Sequence, residues 1–473
     1  MPTAESRAYA AEKSDQLPLK LQLGWGIGSL AMTLMHSANN VLLLRFLTDY
    51  VGIAAATAGG LIAASKLFDA VIDPMIGITS DRTKSRWGRR RPYLILGTIL
   101  AVSSFWFLFS MPIPADMNTR IMMVGAALLV NAAGYGIFMI PYLAMPAEMT
   151  TTPMQRTTLI SKRVIFAAAG SATAAFAGPR VIAALGGGLE GHQVMAMVAG
   201  TLILSAGFAC FFFTKSAAAT TPPEKHSYTL GQQVKLAFGN HPFVVLVCTK
   251  LTNLMAVAMY QAITPFVFVT AIGHTYKEMS YYLLTHGLMT LFVQPLWIRF
   301  SRRFGKKRMF WTGTIFYVAG IISWLFAGPN DPWWLLAARG LLTGGGGGGM
   351  LLAGQSMLPD TIEHDFNRTG LRREGVFAGV YTTVEKMASA FAVSMAGVIL
   401  GLVGYVHGQG NASSQQSQEV IDAIRYCLFI PVFFQVASCF VLALYKLDDG
   451  RRATVPVAVD EQDETQVTAP QKP

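Results

Sequence analysis

Apolar segments long enough to cross a lipid bilayer recur along nearly the whole chain, and they leave little sequence for anything else. A helical crossing needs about 20 mostly apolar residues. Twelve such runs can be drawn, over residues 21–47, 53–79, 93–112, 120–146, 159–186, 192–214, 243–270, 277–298, 309–327, 333–358, 376–405 and 420–446. A membrane β-barrel would need short alternating segments, whereas runs such as Ile121 to Met139 are continuously apolar. With 52% hydrophobic and 13% charged residues, the chain is too apolar for an ordinary soluble protein. An all-α membrane protein of twelve transmembrane helices is expected. The polar opening and the length of the first run argue against a cleaved signal peptide, so the first helix is expected to be retained.

The net charge of +11 is distributed in a way that argues against a nucleic-acid partner. Basic residues crowd into alternate loops. Arg82, Lys84, Arg86, Arg89, Arg90 and Arg91 follow the second run, and Arg299, Arg302, Arg303, Lys306, Lys307 and Arg308 follow the eighth. The loops Pro112 to Asn118, Gly328 to Trp333 and Tyr405 to Glu419 hold no Lys or Arg. The positive-inside rule then places both termini in the cytoplasm, at the cytoplasmic (inner) membrane. The longest polar interruption divides the runs six and six. The expected domains are a cytoplasmic segment 1–20, a six-helix half 21–214, a cytoplasmic linker 215–242, a second half 243–446 and a disordered tail 447–473. Cys210, Cys248, Cys427 and Cys439 all fall in apolar runs and read as packing residues, with no disulfide, metal or cofactor implied.

Lys66, Asp69 and Asp73 interrupt the second run at helical spacing, on one face. A charge near the bilayer centre costs on the order of 3 kcal/mol, so three on one helix point to use. The bland alternative is a buried ion pair that fixes packing, but such a pair does not need two acids beside one lysine. Two carboxylates a turn apart can take up and release a cation. An internal repeat strengthens a transport reading. Arg86-Trp87-Gly88-Arg89-Arg90-Arg91 recurs as Arg303-Phe304-Gly305-Lys306-Lys307-Arg308, and Met145-Pro146-Ala147-Glu148-Met149-Thr150 recurs as Leu358-Pro359-Asp360-Thr361-Ile362-Glu363. Two pseudo-symmetric halves suit a carrier that rocks around a midplane site.

The run Phe68 to Gly77 with Ser80-Asp81-Arg82-Thr83-Lys84-Ser85-Arg86-Trp87-Gly88 closely resembles the glycoside-pentoside-hexuronide:cation symporter family of the major facilitator superfamily. Thr48-Asp49-Tyr50, Ile140-Pro141-Tyr142, and Asp360 to Asp365 with Arg372-Arg373-Glu374 extend the resemblance to both halves. It implies the major facilitator fold and cation-coupled transport of a small solute such as a sugar, glycoside or uronate. By position, it assigns Asp69 and Asp73 to the cation, Lys66 and Lys386 to coupling, and Arg163 to the solute pocket. Asp81, Arg82, Arg86, Trp87 and Gly88 fall on a cytoplasmic gate, although topology alone also accounts for their charge.

The departures bear on the cargo and on the ion. Thr33 and Met139 stand where the family presents sugar-gripping acids, so a galactoside-like solute is disfavoured. Ile72 and Gly136 stand where an asparagine and a threonine accompany the cation carboxylates, which favours a proton over sodium. Tyr135, Tyr142 and Lys250 are further pocket candidates. His36, Asn39, Asn40, Asn253, Tyr260, Gln261 and His286 are polar residues in apolar runs, for which simple packing is the commoner role. Gly344 to Gly349 lacks the lysine of a phosphate loop and reads as a site of close helix approach. No catalytic set appears, so the chain is expected not to be an enzyme. The expected partners are a small-molecule solute and the lipid bilayer, with the protein a monomer. A lipid-like solute carried by the same fold, or a non-transporting sensor, are the alternatives. One positive charge entering down 100 mV supplies roughly 2.3 kcal/mol, enough for about 50-fold accumulation of a neutral solute.

Overall fold

The computed structural model describes residues 17–150, 153–216, 238–369, 374–407 and 416–447. The N-terminal segment before Leu17, most of the expected linker, Arg372-Arg373 and the tail from residue 448 lie outside the described residues. Every regular element among those described is helical.

In the first half, α1 (Leu19–Ala38) passes through a π-helical turn, Asn39–Leu43, into α2 (Leu44–Asp49). Then come α3 (Ala55–Arg82), α4 (Arg91–Ser110), α5 (Met117–Met149), α6 (Pro153–Ala184) and α7 (Leu189–Phe213). The second half opens with α8 (His241–Phe266), which runs into a second π turn at Val267–Ile272. It continues with α9 (Tyr276–Phe292), α10 (Gln294–Phe304), α11 (Lys306–Ile322), α12 (Trp333–Thr369), α13 (Glu374–Leu402), α14 (Gln418–Tyr426) and α15 (Phe429–Ala443). Among the described residues, nine helical spans are long and apolar enough to cross a membrane. Leu19–Asp49, His241–Ile272 and Gln418–Ala443 each cross as one span despite their internal breaks.

Several ends differ from the sequence expectation. Helix α12 runs past residue 358, through Pro359, to Thr369. Proline lacks a donor but does not stop a helix whose neighbours support it, and a helix that emerges into water needs no apolar residues there. The eighth run is broken at Val293, with Pro295 in the first turn of α10, so its basic end is a separate amphipathic helix. At the N-terminus of α5, Asp116 accepts the Thr119 hydroxyl at 2.6 Å and its backbone N–H at 2.7 Å. Those two bonds hold the Asp116 carboxyl below the usual range.

The halves meet along two seams, α3 against α13 and α6 against α9. These pair the second long helix of one half with the fifth of the other, so the seams exchange under the internal repeat. Glycine makes the α3–α13 seam close: a Cβ on Gly59 would sit 2.9 Å from the Val393 carbonyl, and one on Gly397 would strike the Ala55 carbonyl. The glycine run of α12 has the same use. Gly344 lies against the His286 backbone of α9, and Gly346 against the Gly313 carbonyl of α11.

Candidate functional site

The charged residues of α3 face α13 between the halves. Lys386 on α13 forms an ion pair with Asp73 on α3. Lys66 donates to Ser389 Oγ, also on α13, at 2.5 Å, and to Asn40 Oδ1 in the π turn at 3.2 Å. The helical spacing of Lys66, Asp69 and Asp73 makes this possible, because it turns all three toward one neighbour. Asp69 and Asp73 each keep one buried carboxylate oxygen, Oδ1, without a hydrogen-bond partner. Leaving such atoms unsatisfied is expensive, which makes the pair a candidate binding position. Gly136 on α5 backs the site, and a Cβ there would lie 2.8 Å from Asp73 Oδ1. Pro74, next in sequence to Asp73, has no N–H for the Ala70 carbonyl of the preceding turn. Among the described residues there is no cluster of three or more His, Cys, Asp or Glu side chains able to hold a metal ion.

Tyr135 on α5 lies within electrostatic reach of Asp69, Arg163 and Glu385, and its ring is 5.7 Å from that of His36. Arg163, on α6, is half-buried, and its backbone carbonyl accepts the Ser29 hydroxyl at 2.8 Å. The Arg163 side chain makes no ion pair among the described residues, and its Nε is buried without a partner. Thr33 on α1 and Met139 on α5 are partly buried. Lys250 on α8 pairs with Glu385 Oε2 at 2.8 Å and stands 3.3 Å over the Tyr381 ring, beside a cleft also lined by Asn253 and Gln355. Tyr142 is placed elsewhere than expected. It is fully buried, stacked on Trp25 at 4.8 Å, and donates its hydroxyl to the Trp25 carbonyl at 3.0 Å, so it is a core residue of the first half.

The basic loop is organised around Glu148. Arg89 and Arg90 both bind its Oε1, Arg90 at 2.5 Å, and Arg90 also reaches Asp81 at 2.7 Å. Arg86 lies over Trp87, whose edge meets Phe211 at 5.7 Å. Gly88 closes the turn at φ +94°, which a side chain would strain. Arg82 is exposed. The second half repeats the device: Lys306, at the position of Arg89 in the repeat, binds Asp360 at 2.5 Å. Between described residues, no ion pair at this end joins one half to the other, so the expected latch of Asp81, Arg82 and Arg86 is not made here.

The opposite end is tied across the halves. Arg45 pairs with Asp49 at 2.9 Å, both almost wholly buried, and also donates to the Pro265 carbonyl of the second half. Tyr405 donates to the other Asp49 oxygen at 2.7 Å. Phe266 and Tyr276 stand 5.6 and 5.7 Å from the guanidinium. Sequence reasoning quoted Asp49 only within a motif. The missed signal was an arginine four residues before an aspartate at the end of an apolar run.

Comparison with known proteins is consistent with this geometry. Residues 24–449 match the family model described as MFS/sugar transport protein. The uncharacterized symporter YnaJ of Bacillus subtilis (strain 168) is 27% identical over 470 residues, covering 96% of this chain and 97% of that protein. The glucuronide carrier protein homolog of Escherichia coli (strain K12) is 26% identical over 466 residues, covering 96% and 98%. Among solved structures, a bacterial homolog of the human lysosomal transporter Spinster superposes with a TM-score of 0.69 at 12% identity, covering 90% of this chain and 96% of that one. The chain is therefore a membrane transporter and not an enzyme, and it belongs to the MFS/sugar transport protein family, the glycoside-pentoside-hexuronide:cation symporters of the major facilitator superfamily.

Proposed function

We propose that the protein is a twelve-helix, cation-coupled symporter of the cytoplasmic membrane that carries a small sugar derivative, with both termini cytoplasmic and a monomer as the working unit. The observation that carries this reading is the contact between Asp73 of one half and Lys386 of the other, beside two buried carboxylate oxygens without partners. A cation arriving at Asp69 and Asp73 competes with Lys386 for the same carboxylate. Its binding therefore changes how the halves hold each other, which is the linkage that coupling requires. Lys66 belongs to the same linkage through Ser389. The protein supplies few neutral oxygens around the carboxylates, and Gly136 offers none, so a proton fits better than sodium, which wants several oxygen ligands. With the basic loops in the cytoplasm, the tie across the halves at the Asp49 end lies on the outer side, as expected of an inward-facing molecule.

The test is Asp73→Asn in proteoliposomes supplied with radiolabelled methyl glycosides and glucuronides. The variant is expected to lose accumulation driven by an imposed pH or sodium gradient while keeping solute exchange at equal concentrations. Accumulation that survives the substitution would move the cation site away from α3.

A further inference from the structure

Two π turns flank the contact between the halves at the Asp49 end. Arg45 lies two residues beyond the first, Asn39–Leu43, and donates to the carbonyl of Pro265, two residues before the second, Val267–Ile272. The first turn also packs against α8 of the other half. A π turn holds one residue more than the α-helix it interrupts. Absorbing that residue into regular helix would rotate everything beyond it by about 100° and advance it by about 1.5 Å. Arg45 and Asp49 both lie beyond the first turn, so such a change would carry them away from Pro265 and Tyr405.

The same turn is tied to the charged face of α3. Asn40 Oδ1 accepts from Lys66 Nζ at 3.2 Å, and Lys66 donates also to Ser389 of α13 at 2.5 Å. Beside it, Asn39 donates to Asn131 Oδ1 on α5 at 3.0 Å, which anchors the start of the turn in the first half. Lys66 thus has two neutral acceptors, and one acid, Asp69, within electrostatic reach. On the coupled-symport reading above, we infer that Asn40 is a positioning residue that passes occupancy of the Asp69–Asp73 site to the outer tie, with the first π turn as the joint. A cation at Asp69 cancels the pull of that acid. The ammonium then leans on Asn40 and Ser389, because a charge withdrawn from water depends on the hydrogen bonds left to it. The turn is held, and the outer end stays shut. When the cation leaves, Asp69 draws Lys66 back, Asn40 is released, and the turn is free to regularise. Loading from outside thereby closes the outer end, and loss of the cation to the inside lets it reopen.

The experiment follows the outer end of the full-length protein in lipid nanodiscs, by pulsed electron resonance between nitroxide labels on exposed Glu190 and Lys277. Acid and alkaline pH, each with and without sodium, supply the loaded and unloaded states. The other titratable groups within reach of Lys66 or Asp69 are His36 of α1, Tyr135 of α5 and Lys386 of α13, and every variant keeps them. In the parent, loading should raise the ratio of closed to open outer ends by about ten-fold, the order of one hydrogen bond to a charged group. Asn40→Ala and Asn40→Leu should each lose that response, and Asn40→Gln, which retains an amide oxygen, should recover part of it. An asparagine that only packs would alter the melting temperature and leave the response intact. If the parent responds and either loss variant responds as strongly, the assignment to Asn40 fails while coupled symport stands. If the parent responds to neither ion, the inference fails whatever the variants do, and accumulation by Asp73→Asn decides the symport reading separately. Either loss variant suffices, so the test survives if one of them does not fold.

Discussion

The two ends of this carrier are held in different ways. At the Asp49 end a buried ion pair, a carbonyl and a tyrosine from both halves converge, while at the Asp81 end each half closes on itself. The chemistry follows the surroundings. Arg45 and Asp49 are almost wholly buried, whereas Lys306 and Asp360 are 28% and 43% exposed. An ion pair in water is worth little and is easily exchanged, but a buried one is costly to break. The end tied across the halves therefore uses the strong kind of contact, while the Lys306–Asp360 pair at the other end is of the kind that can be rearranged.

The largest effect should come from breaking the buried seal on one side only. Arg45→Met leaves Asp49 buried without its cation, a loss of about 3–5 kcal/mol. Its melting temperature should fall further than that of any single substitution at the basic end. An unchanged melting temperature would mean that water already reaches Asp49. The next effect tests the tie across the halves without stranding the ion pair. Tyr405→Phe removes one hydrogen bond to a charged acceptor, about 1.5–3 kcal/mol. That is enough to move the conformational balance by about ten-fold or more toward opening at this end. Nitroxide labels on exposed Glu190 and Lys277, one in each half, should show a longer distance population in the variant by pulsed electron resonance. Identical distance distributions in variant and parent would remove Tyr405 from the seal.

How much of this could be read from the sequence depended on the kind of interaction. The spans were legible because each run must satisfy its backbone within itself, a constraint that works residue by residue. The breaks were not: the π turns at Asn39–Leu43 and Val267–Ile272 leave no mark in hydropathy. On α3, the spacing of Lys66, Asp69 and Asp73 announced a shared face, but the partners on that face, Lys386 and Ser389, lie more than three hundred positions away. Lys386 came only through family resemblance, and Ser389 was missed. Tyr142 shows the opposite failure. It sits in a motif beside pocket residues, yet Trp25 and Phe138 enclose its ring, and no local pattern distinguishes a tyrosine that faces a cavity from one that faces a neighbouring helix.

The smallest effect belongs to the basic end, where an ion pair in one half can be set against one in the other. Arg90 is 7% exposed and shared between Asp81 and Glu148, whereas Lys306 serves Asp360 in the second half at greater exposure. Lys306→Gln should cost no more than about 1 kcal/mol. Because the pair it removes is reached by solvent, the difference in melting between variant and parent should shrink as salt is added. Arg90→Gln removes a more buried charge between two acids and should cost more, with a difference that salt reduces less. Equal losses with equal salt dependence would show that the two halves hold their loops alike. Unequal losses would assign the first half's loop the firmer hold, and the rocking of the halves would be expected to loosen the second half's loop first.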